Sequence, residues 1–190
     1  MLKWEPSEEG GTVRSLGWVL IVLCCMGAPG MAEGQKEKRQ PLSEAQIEKI
    51  REAGIDPTGR INLYTQFLEE RAGTIKGLTN RAKSNARSKR LDDELQDFTA
   101  LLDELGSNLD QYSERKADMR PALKKLSEAA PGWVGIFKAL AGEAGFDEAR
   151  KEAIEASEDI ADDSKRLLSE QTQYFLTHKE EKGQQRAEPK

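Results

Sequence analysis

Apolar residues at alternating spacings of four and three run from Leu91 to Ala130, and they constrain the fold more than any other feature of this chain. The first part of the series ends at Tyr112, and the same phase resumes at Met119. A seven-residue repeat of this kind is useful only to a helix that packs along its length against other helices. The members of this seam are Leu91, Leu95, Phe98, Leu102, Leu105, Leu109, Tyr112, Met119, Leu123, Leu126 and Ala130.

The composition favours the same class of fold. Charged residues make up 33% of the 190 residues and aromatic residues only 6%, which is typical of long helices with solvated flanks. A chain of this length fits one domain with a sizeable core. The formal net charge of −5 is mildly acidic, so nucleic acid is not expected as a partner.

Three further segments carry helical signals. Ser43–Gln46 has the form of a capping box and predicts a short helix over 43–53. Asp56-Pro57 joins an N-cap residue to a proline suited to the first helical turn, and predicts a long helix up to a turn at Ser84–Lys89. A last long helix is predicted over 147–178, where apolar pairs recur every seven residues and indicate contact with two neighbouring helices.

Two prolines interrupt the helical pattern after the seam begins. Pro121 predicts a kink or a restart, whereas Gly106-Ser107-Asn108 is expected to stay helical because the phase continues through it. Pro131-Gly132-Trp133 predicts a turn, followed by a second short helix over 133–142. The sequence therefore predicts an all-α fold, an antiparallel, coiled-coil-like bundle of three long helices with two short accessory helices.

The N-terminal region has the pattern of a signal peptide. Leu16–Ala28 is a run of 13 uncharged residues, short of the about 20 that a membrane-spanning helix needs. Small residues just before the expected signal-peptidase site predict cleavage after Ala32, and hence an exported protein of the periplasm or cell envelope. Acidic residues near the start do not suit a signal peptide, so we hypothesise that translation begins at Val13. A lipoprotein signal would use Cys24 or Cys25, but the residues before them are not the usual Gly or Ala.

The predicted organisation follows from these signals. Residues 1–32 form the signal peptide, 33–41 a disordered lead-in, 42–178 the helical domain and 179–190 a disordered, charged tail. The chain after Ala32 contains no cysteine, so its stability is expected to come from packing alone.

The sequence offers no pattern typical of catalysis. His178 is the single histidine, and the chain has no Glu-x-x-His pair, no GxSxG motif and no phosphate-binding glycine motif. The many acidic residues lie beside the apolar positions, on faces expected to be solvated. We therefore expect no enzyme activity, no cofactor, no metal and no small-molecule substrate.

Two surface features are candidates for binding. The first is a basic run from Lys76 to Arg90, in which Lys83, Arg87, Lys89 and Arg90 are expected to contact an anionic envelope surface, or else to complement a helix dipole. The second is an apolar segment that suits a membrane interface or dimer contact, or else a lid over the end of the bundle. Its residues are Trp133, Val134, Ile136, Phe137 and Leu140.

Two resemblances add to this interpretation. GRINLYTQFLEERAGTIKGLTNRAKS (59–84) and LDDELQDFTALLDELGSNLDQY (91–112) resemble an uncharacterised group of bacterial secreted helical proteins, which implies an exported helical fold without an assigned activity. Leu42-Ser43-Glu44-Ala45-Gln46 is similar to the LTxxQ motif of small helical periplasmic chaperones, with Ser43 in place of threonine. Those chaperones carry the motif twice, and this chain carries it once.

The expected function is therefore non-enzymatic. The first interpretation is an exported helical protein of the bacterial envelope that binds an unidentified protein, or itself, as a scaffold. The resemblance to LTxxQ proteins implies a holdase-type chaperone as one alternative. The basic run suggests another, a binder of an anionic envelope surface.

Overall fold

The computed structural model describes residues 40–182, and within that range every regular element is a helix, without a strand. This confirms the predicted all-α class. The elements are α1 (Glu44–Glu52), α2 (Pro57–Thr79), α3 (Asn85–Glu114), α4 (Arg120–Lys138), α5 (Asp147–Thr177) and a 3₁₀ turn over Lys179–Glu181.

Four of these helices form the core. Helix α2 packs against α3 and α4, and α5 packs against the same two helices, which closes a ring in the order α2, α3, α5, α4. Helix α1 has backbone contacts with α2 alone among the described helices. The predicted bundle of three long helices is not confirmed, because α4 is a fourth core helix that includes most of the segment expected to form a separate accessory helix.

Two hydrogen bonds give the relative direction of α2 and α3. Arg71 donates to Glu94 at 2.8 Å, and the Tyr64 hydroxyl donates to Glu104 at 2.6 Å. The residue number rises on α3 as it falls on α2, so this hairpin is antiparallel. The turn between the two helices covers 80–84, earlier than the Ser84–Lys89 predicted, because Ser84 accepts from the Arg87 N–H and starts α3.

The predicted seam is confirmed as the centre of the core. Every member from Leu91 to Ala130 is buried, and the helix passes through Gly106-Ser107-Asn108 without a break. Burying a large apolar side chain stabilises a fold by roughly 1.5–3 kcal/mol. The regular spacing on one face of α3 and α4 therefore supplies a large share of the core, which the buried faces of α2 and α5 complete. The predicted contact of the last helix with two neighbours, α3 and α4, is also confirmed.

The turn predicted at Pro131 is wrong. Helix α4 continues through Pro131 as far as Lys138, and the chain turns only after Ala139. Proline inside a helix costs about 3 kcal/mol, because one hydrogen bond is lost and the ring meets the preceding turn. Two buried aromatic rings just beyond it offset that cost: Trp133 and Phe137 both meet Phe98 edge to face, with ring centroids 5.6 and 4.7 Å away.

The restart predicted at Pro121 is confirmed, with the break itself slightly earlier in the chain. Helix α3 ends at Glu114, Lys116 adopts a positive φ of 56°, and Pro121 lies in the first turn of α4. A buried glutamine on α5 holds this connection. The amide nitrogen of Gln171 donates to the Ala117 carbonyl at 2.8 Å, and its oxygen accepts from the Met119 N–H at 2.9 Å.

The N-terminal capping signals are also confirmed. Ser43 and Gln46 form a reciprocal capping box at the start of α1, and Gly54, with φ of 59°, follows its end. The Asp56 side chain accepts from the N–H groups of Thr58 and Gly59 at the start of α2. These contacts are local in sequence, which is why the pattern alone predicts them.

Several predictions fall outside the described residues. The signal peptide over 1–32, the start at Val13 and most of the lead-in over 33–41 lie before residue 40, and most of the tail lies after residue 182. Among helices within 40–182, none combines the length and hydropathy required to span a bilayer.

Candidate binding surfaces

The two surface features predicted from separate parts of the sequence lie at the same end of the helical core. Glu143, in the loop between α4 and α5, accepts from Arg87 at 3.1 Å and from the Ser88 hydroxyl at 3.1 Å. It also pairs with Lys83 at 3.3 Å. We call the surface formed by residues 76–90 and 138–151 the basic end.

Arg87 is a structural residue of the basic end. Its side chain is only 9% exposed, and its Nε donates to the carbonyl of Leu78, near the end of α2, at 3.0 Å. Its guanidinium meanwhile bonds Glu143 and holds the pKa of that carboxyl below its ordinary value of 4.5. Arg87 therefore joins the α2–α3 turn to the α4–α5 loop, and its Nε and Nη1 are already hydrogen-bonded.

The other predicted bases are exposed, although each is paired with an acid. The side chains of Lys83, Lys89 and Arg90 are 76%, 75% and 64% exposed. Their partners Glu143, Asp93 and Glu94 are 19%, 38% and 14% exposed. In each of these three pairs the base is thus more exposed than the acid, although Glu148 on the same surface is itself 83% exposed.

Further residues extend this surface. Lys76 and Arg81 are exposed, and neither has an ion-pair partner among the described residues. The α4–α5 loop between the bases presents small exposed residues, which carried no signal in the sequence because alanine and glycine suit many environments. These residues are Ala139, Ala141, Gly142, Ala144 and Gly145.

The predicted apolar segment belongs mainly to the core. Trp133, Phe137 and Leu140 are buried, and Val134 and Ile136 are half-buried. The two aromatic rings pack on Phe98, as described for α4. This packing matches the interpretation of the segment as a cover over the core rather than as a surface for a membrane or a second chain.

A second candidate surface lies along α3. A cleft of about 840 Å³ separates the arm before α1 (residues 40–43) and α1 itself from the outer face of α3. Arg71 holds the arm, because it donates to the Pro41 carbonyl at 2.6 Å. The cleft is lined by Gln40, Pro41, Leu42, Ile47, Ala100, Asp103, Glu104, Ser107, Asn108 and Gln111.

A smaller cleft of about 400 Å³ lies on the other side of Leu42 and Ile47. Arg60, Tyr64 and Glu104 line it from α2 and α3. Burial, together with the hydrogen bond to Glu104, raises the pKa of Tyr64 well above its ordinary value of 10.0. The phenol therefore stays protonated and keeps its hydrogen bond to the carboxylate.

The structure gives little support for metal binding in the part of the chain that it describes. Within residues 40–182, no group of three or more His, Cys, Asp or Glu side chains is arranged to hold a metal ion. His178 stacks on Tyr174 with ring centroids 4.1 Å apart, and its Nδ1 lies 3.0 Å from the Tyr174 carbonyl oxygen. This histidine packs against the end of α5.

Comparison of the chain with known protein families, curated proteins and solved structures finds no match. Both resemblances stated from the sequence therefore remain predictions. The LTxxQ-like motif forms the capping box of α1, and the large apolar side chains exposed within 40–182 are Ile55 and Leu176. The holdase hypothesis thus rests on the sequence resemblance alone.

Proposed function

We propose that this protein is an exported, non-catalytic component of the bacterial envelope, and that its basic end binds an anionic envelope surface. The observation that carries the proposal is the difference in exposure at the basic end, where Lys83, Lys89 and Arg90 are each far more exposed than their acidic partners. Export itself is supported by the signal-like pattern before Ala32.

The geometry suits a flat, polyanionic partner. The exposed bases Arg81, Lys83, Lys89 and Arg90 follow one another within ten residues at one end of the helical core. A lysine or arginine near an anionic lipid surface contributes about 1 kcal/mol of attraction. Several such residues together give specific adsorption at low salt, although the whole chain has a net charge of −5.

The α4–α5 loop supports the same orientation. Ala139, Ala141 and Ala144 are exposed between the bases and carry no charge to desolvate. Small side chains also let the backbone approach the headgroups. The lysine side chains around them carry apolar stems that fit the boundary between headgroup and acyl chain.

Vesicle co-sedimentation tests the proposal. The protein from Glu33 onward is mixed with vesicles of phosphatidylglycerol and phosphatidylcholine, or of phosphatidylcholine alone, at low and at physiological ionic strength. We expect binding to the anionic vesicles only, and a steep loss of binding as salt rises, because exposed charges are screened within about 8 Å at physiological salt.

The decisive comparison is between two triple variants. The substitutions Arg81→Gln, Lys83→Gln and Lys89→Gln remove three exposed bases of the basic end, and binding is expected to fall about 100-fold at low salt. The matched control removes three exposed bases elsewhere, at Lys124, Lys125 and Lys165. Equal loss in both triple variants, or none in the first, would contradict the proposal. Arg87 is left intact because its substitution disturbs the fold.

A second candidate function, the binding of a protein partner, is favoured by the cleft along α3. Its lining mixes apolar side chains of the arm and α1 with polar and acidic side chains of α3, as in grooves that receive an amphipathic helix with a polar, basic edge. Cross-linking in the envelope tests this function. A photoreactive residue at Ser107, in the cleft, should capture a defined protein, whereas one at Glu128, exposed on α4, should not.

A further inference from the structure

The smaller cleft beside α1 is a candidate site for a ligand that the proposed function does not involve. Leu42, Ile47 and Ile50 form its apolar side, and Arg60 and Tyr64 line its polar side. Its volume of about 400 Å³ is within the usual range of small-molecule sites, which combine apolar walls with a few polar groups that orient the ligand.

Arg60 differs from the comparable arginines of this structure. Arg71, Arg87, Arg120 and Arg150 are also partly buried, and each donates to a carboxylate. Arg60 has no carboxylate partner among the described residues, and its Nε is buried without any hydrogen-bond partner there. A buried donor left unpaired costs free energy, so such groups are rare unless something else satisfies them.

The neighbours of Arg60 leave its remaining donors available. The Tyr64 hydroxyl faces Arg60, but its own proton is donated to Glu104 at 2.6 Å. A guanidinium has five N–H donors in a planar fork, and a phenol oxygen can accept only some of them. The geometry therefore leaves Arg60 with donors to spare in a cleft that has an apolar side and is also lined by Arg51 and Glu104.

We propose that this cleft binds an amphiphilic monocarboxylate, such as a medium-chain fatty acid. The carboxylate would accept two hydrogen bonds from the terminal nitrogens of Arg60, because its Nε is buried, and the chain would lie against Leu42, Ile47 and Ile50. A single negative charge fits better than a phosphate dianion, because the carboxylate of Glu104 also lines the cleft and repels additional negative charge.

Because α1 and the arm form the apolar side of the cleft, ligand binding there should affect the stability of α1. The three apolar residues belong to the arm and to α1, and α1 has backbone contacts with α2 alone among the described helices. A ligand between α1 and Arg60 adds contacts that the free protein lacks. Binding should therefore stabilise α1 against local opening without changing the stability of the core to the same extent.

Titration calorimetry with decanoate tests the proposal, and acetate and decylamine serve as ligands that lack the tail or the negative charge. We expect saturable binding of decanoate, but not of acetate or decylamine. Arg60→Gln should weaken it about tenfold or more, whereas Lys49→Gln, an exposed base on α1 away from the cleft, should leave it unchanged. Hydrogen exchange of the α1 amides should slow when decanoate is present.

The substitution Glu104→Gln gives a result of opposite sign. Removing a negative charge from the lining should strengthen binding of decanoate, whereas a site for a cation would be weakened by the same change. The proposal is overturned if decanoate does not bind saturably, if Arg60→Gln binds it as the wild type does, or if Glu104→Gln weakens it. The Glu104 variant decides the matter even where Arg60→Gln fails to fold.

Discussion

Replacing Gln171 by leucine should destabilise the protein more than its single polar side chain suggests. This buried residue of α5 satisfies two backbone groups of the α3–α4 connection, the Ala117 carbonyl and the Met119 N–H. Leucine has a similar volume, so the substitution opens little space. Its main effect is to remove the partners of both backbone groups while they stay away from water.

The magnitude follows from these two groups. A buried backbone group that loses its partner costs about 1–3 kcal/mol, and the apolar replacement recovers part of this in a well-packed site. We expect a net loss of about 3 kcal/mol in the free energy of unfolding. For a domain of this size, about 1 kcal/mol corresponds to roughly 2–4 °C, so the melting temperature should fall by roughly 6–12 °C.

Urea denaturation followed by far-UV circular dichroism measures this effect. The matched control is Gln173→Leu, on the exposed side of the same helix, which should change the free energy of unfolding by less than about 0.5 kcal/mol. An equal effect of the two substitutions would refute the idea that Gln171 stabilises the connection through its hydrogen bonds.

The remaining predictions concern pH and export. Because Arg87 holds the pKa of Glu143 below 4.5, this ion pair should stabilise the fold above pH 4.5 and lose its effect as the pH falls below that value. The difference in melting temperature between wild type and Glu143→Gln should therefore shrink as the pH falls. Because burial raises the pKa of Tyr64, its neutral form stabilises the fold below pH 10.0, and this contribution is lost at higher pH. Between neutral and strongly alkaline pH, the Tyr64→Phe variant should therefore lose less stability than the wild type does. Expression in a bacterium should give an envelope form that starts at Glu33 by N-terminal sequencing, and recovery of an uncleaved cytoplasmic form alone would contradict export.

The core could be predicted from the sequence because its pattern is local and periodic. The apolar seam members between Leu91 and Ala130 recur at helical spacing, and the structure buries every one of them. The rule that proline interrupts a helix predicted the restart at Pro121 correctly, but it wrongly predicted a turn at Pro131. There the decisive contact joins Phe98 to Trp133 and Phe137, residues far apart in the chain, and no local rule contains it.

The candidate surfaces were predictable only in part, for the same reason. The basic run is visible in the sequence, but nothing local separates Arg87, which is buried against Glu143, from the exposed Lys83. Those partners are 56 residues apart, so only the fold shows that the α4–α5 loop completes the basic end. The cleft at Arg60 was missed altogether, because it exists only where α1 lies over α2 and α3.

The order of helices in the ring has a consequence for how the chain matures. Helices α3 and α4 follow each other in the sequence but lie on opposite sides of the ring, without close backbone contact within the described residues. Helices α2 and α5 each pack against both of them, so the ring closes only when α5, the last of the described α-helices, is in place. A nascent chain therefore lacks a closed core until its C-terminal part is available. If the protein is exported as proposed, this late completion would keep the chain from closing its core before its C-terminal part is synthesised.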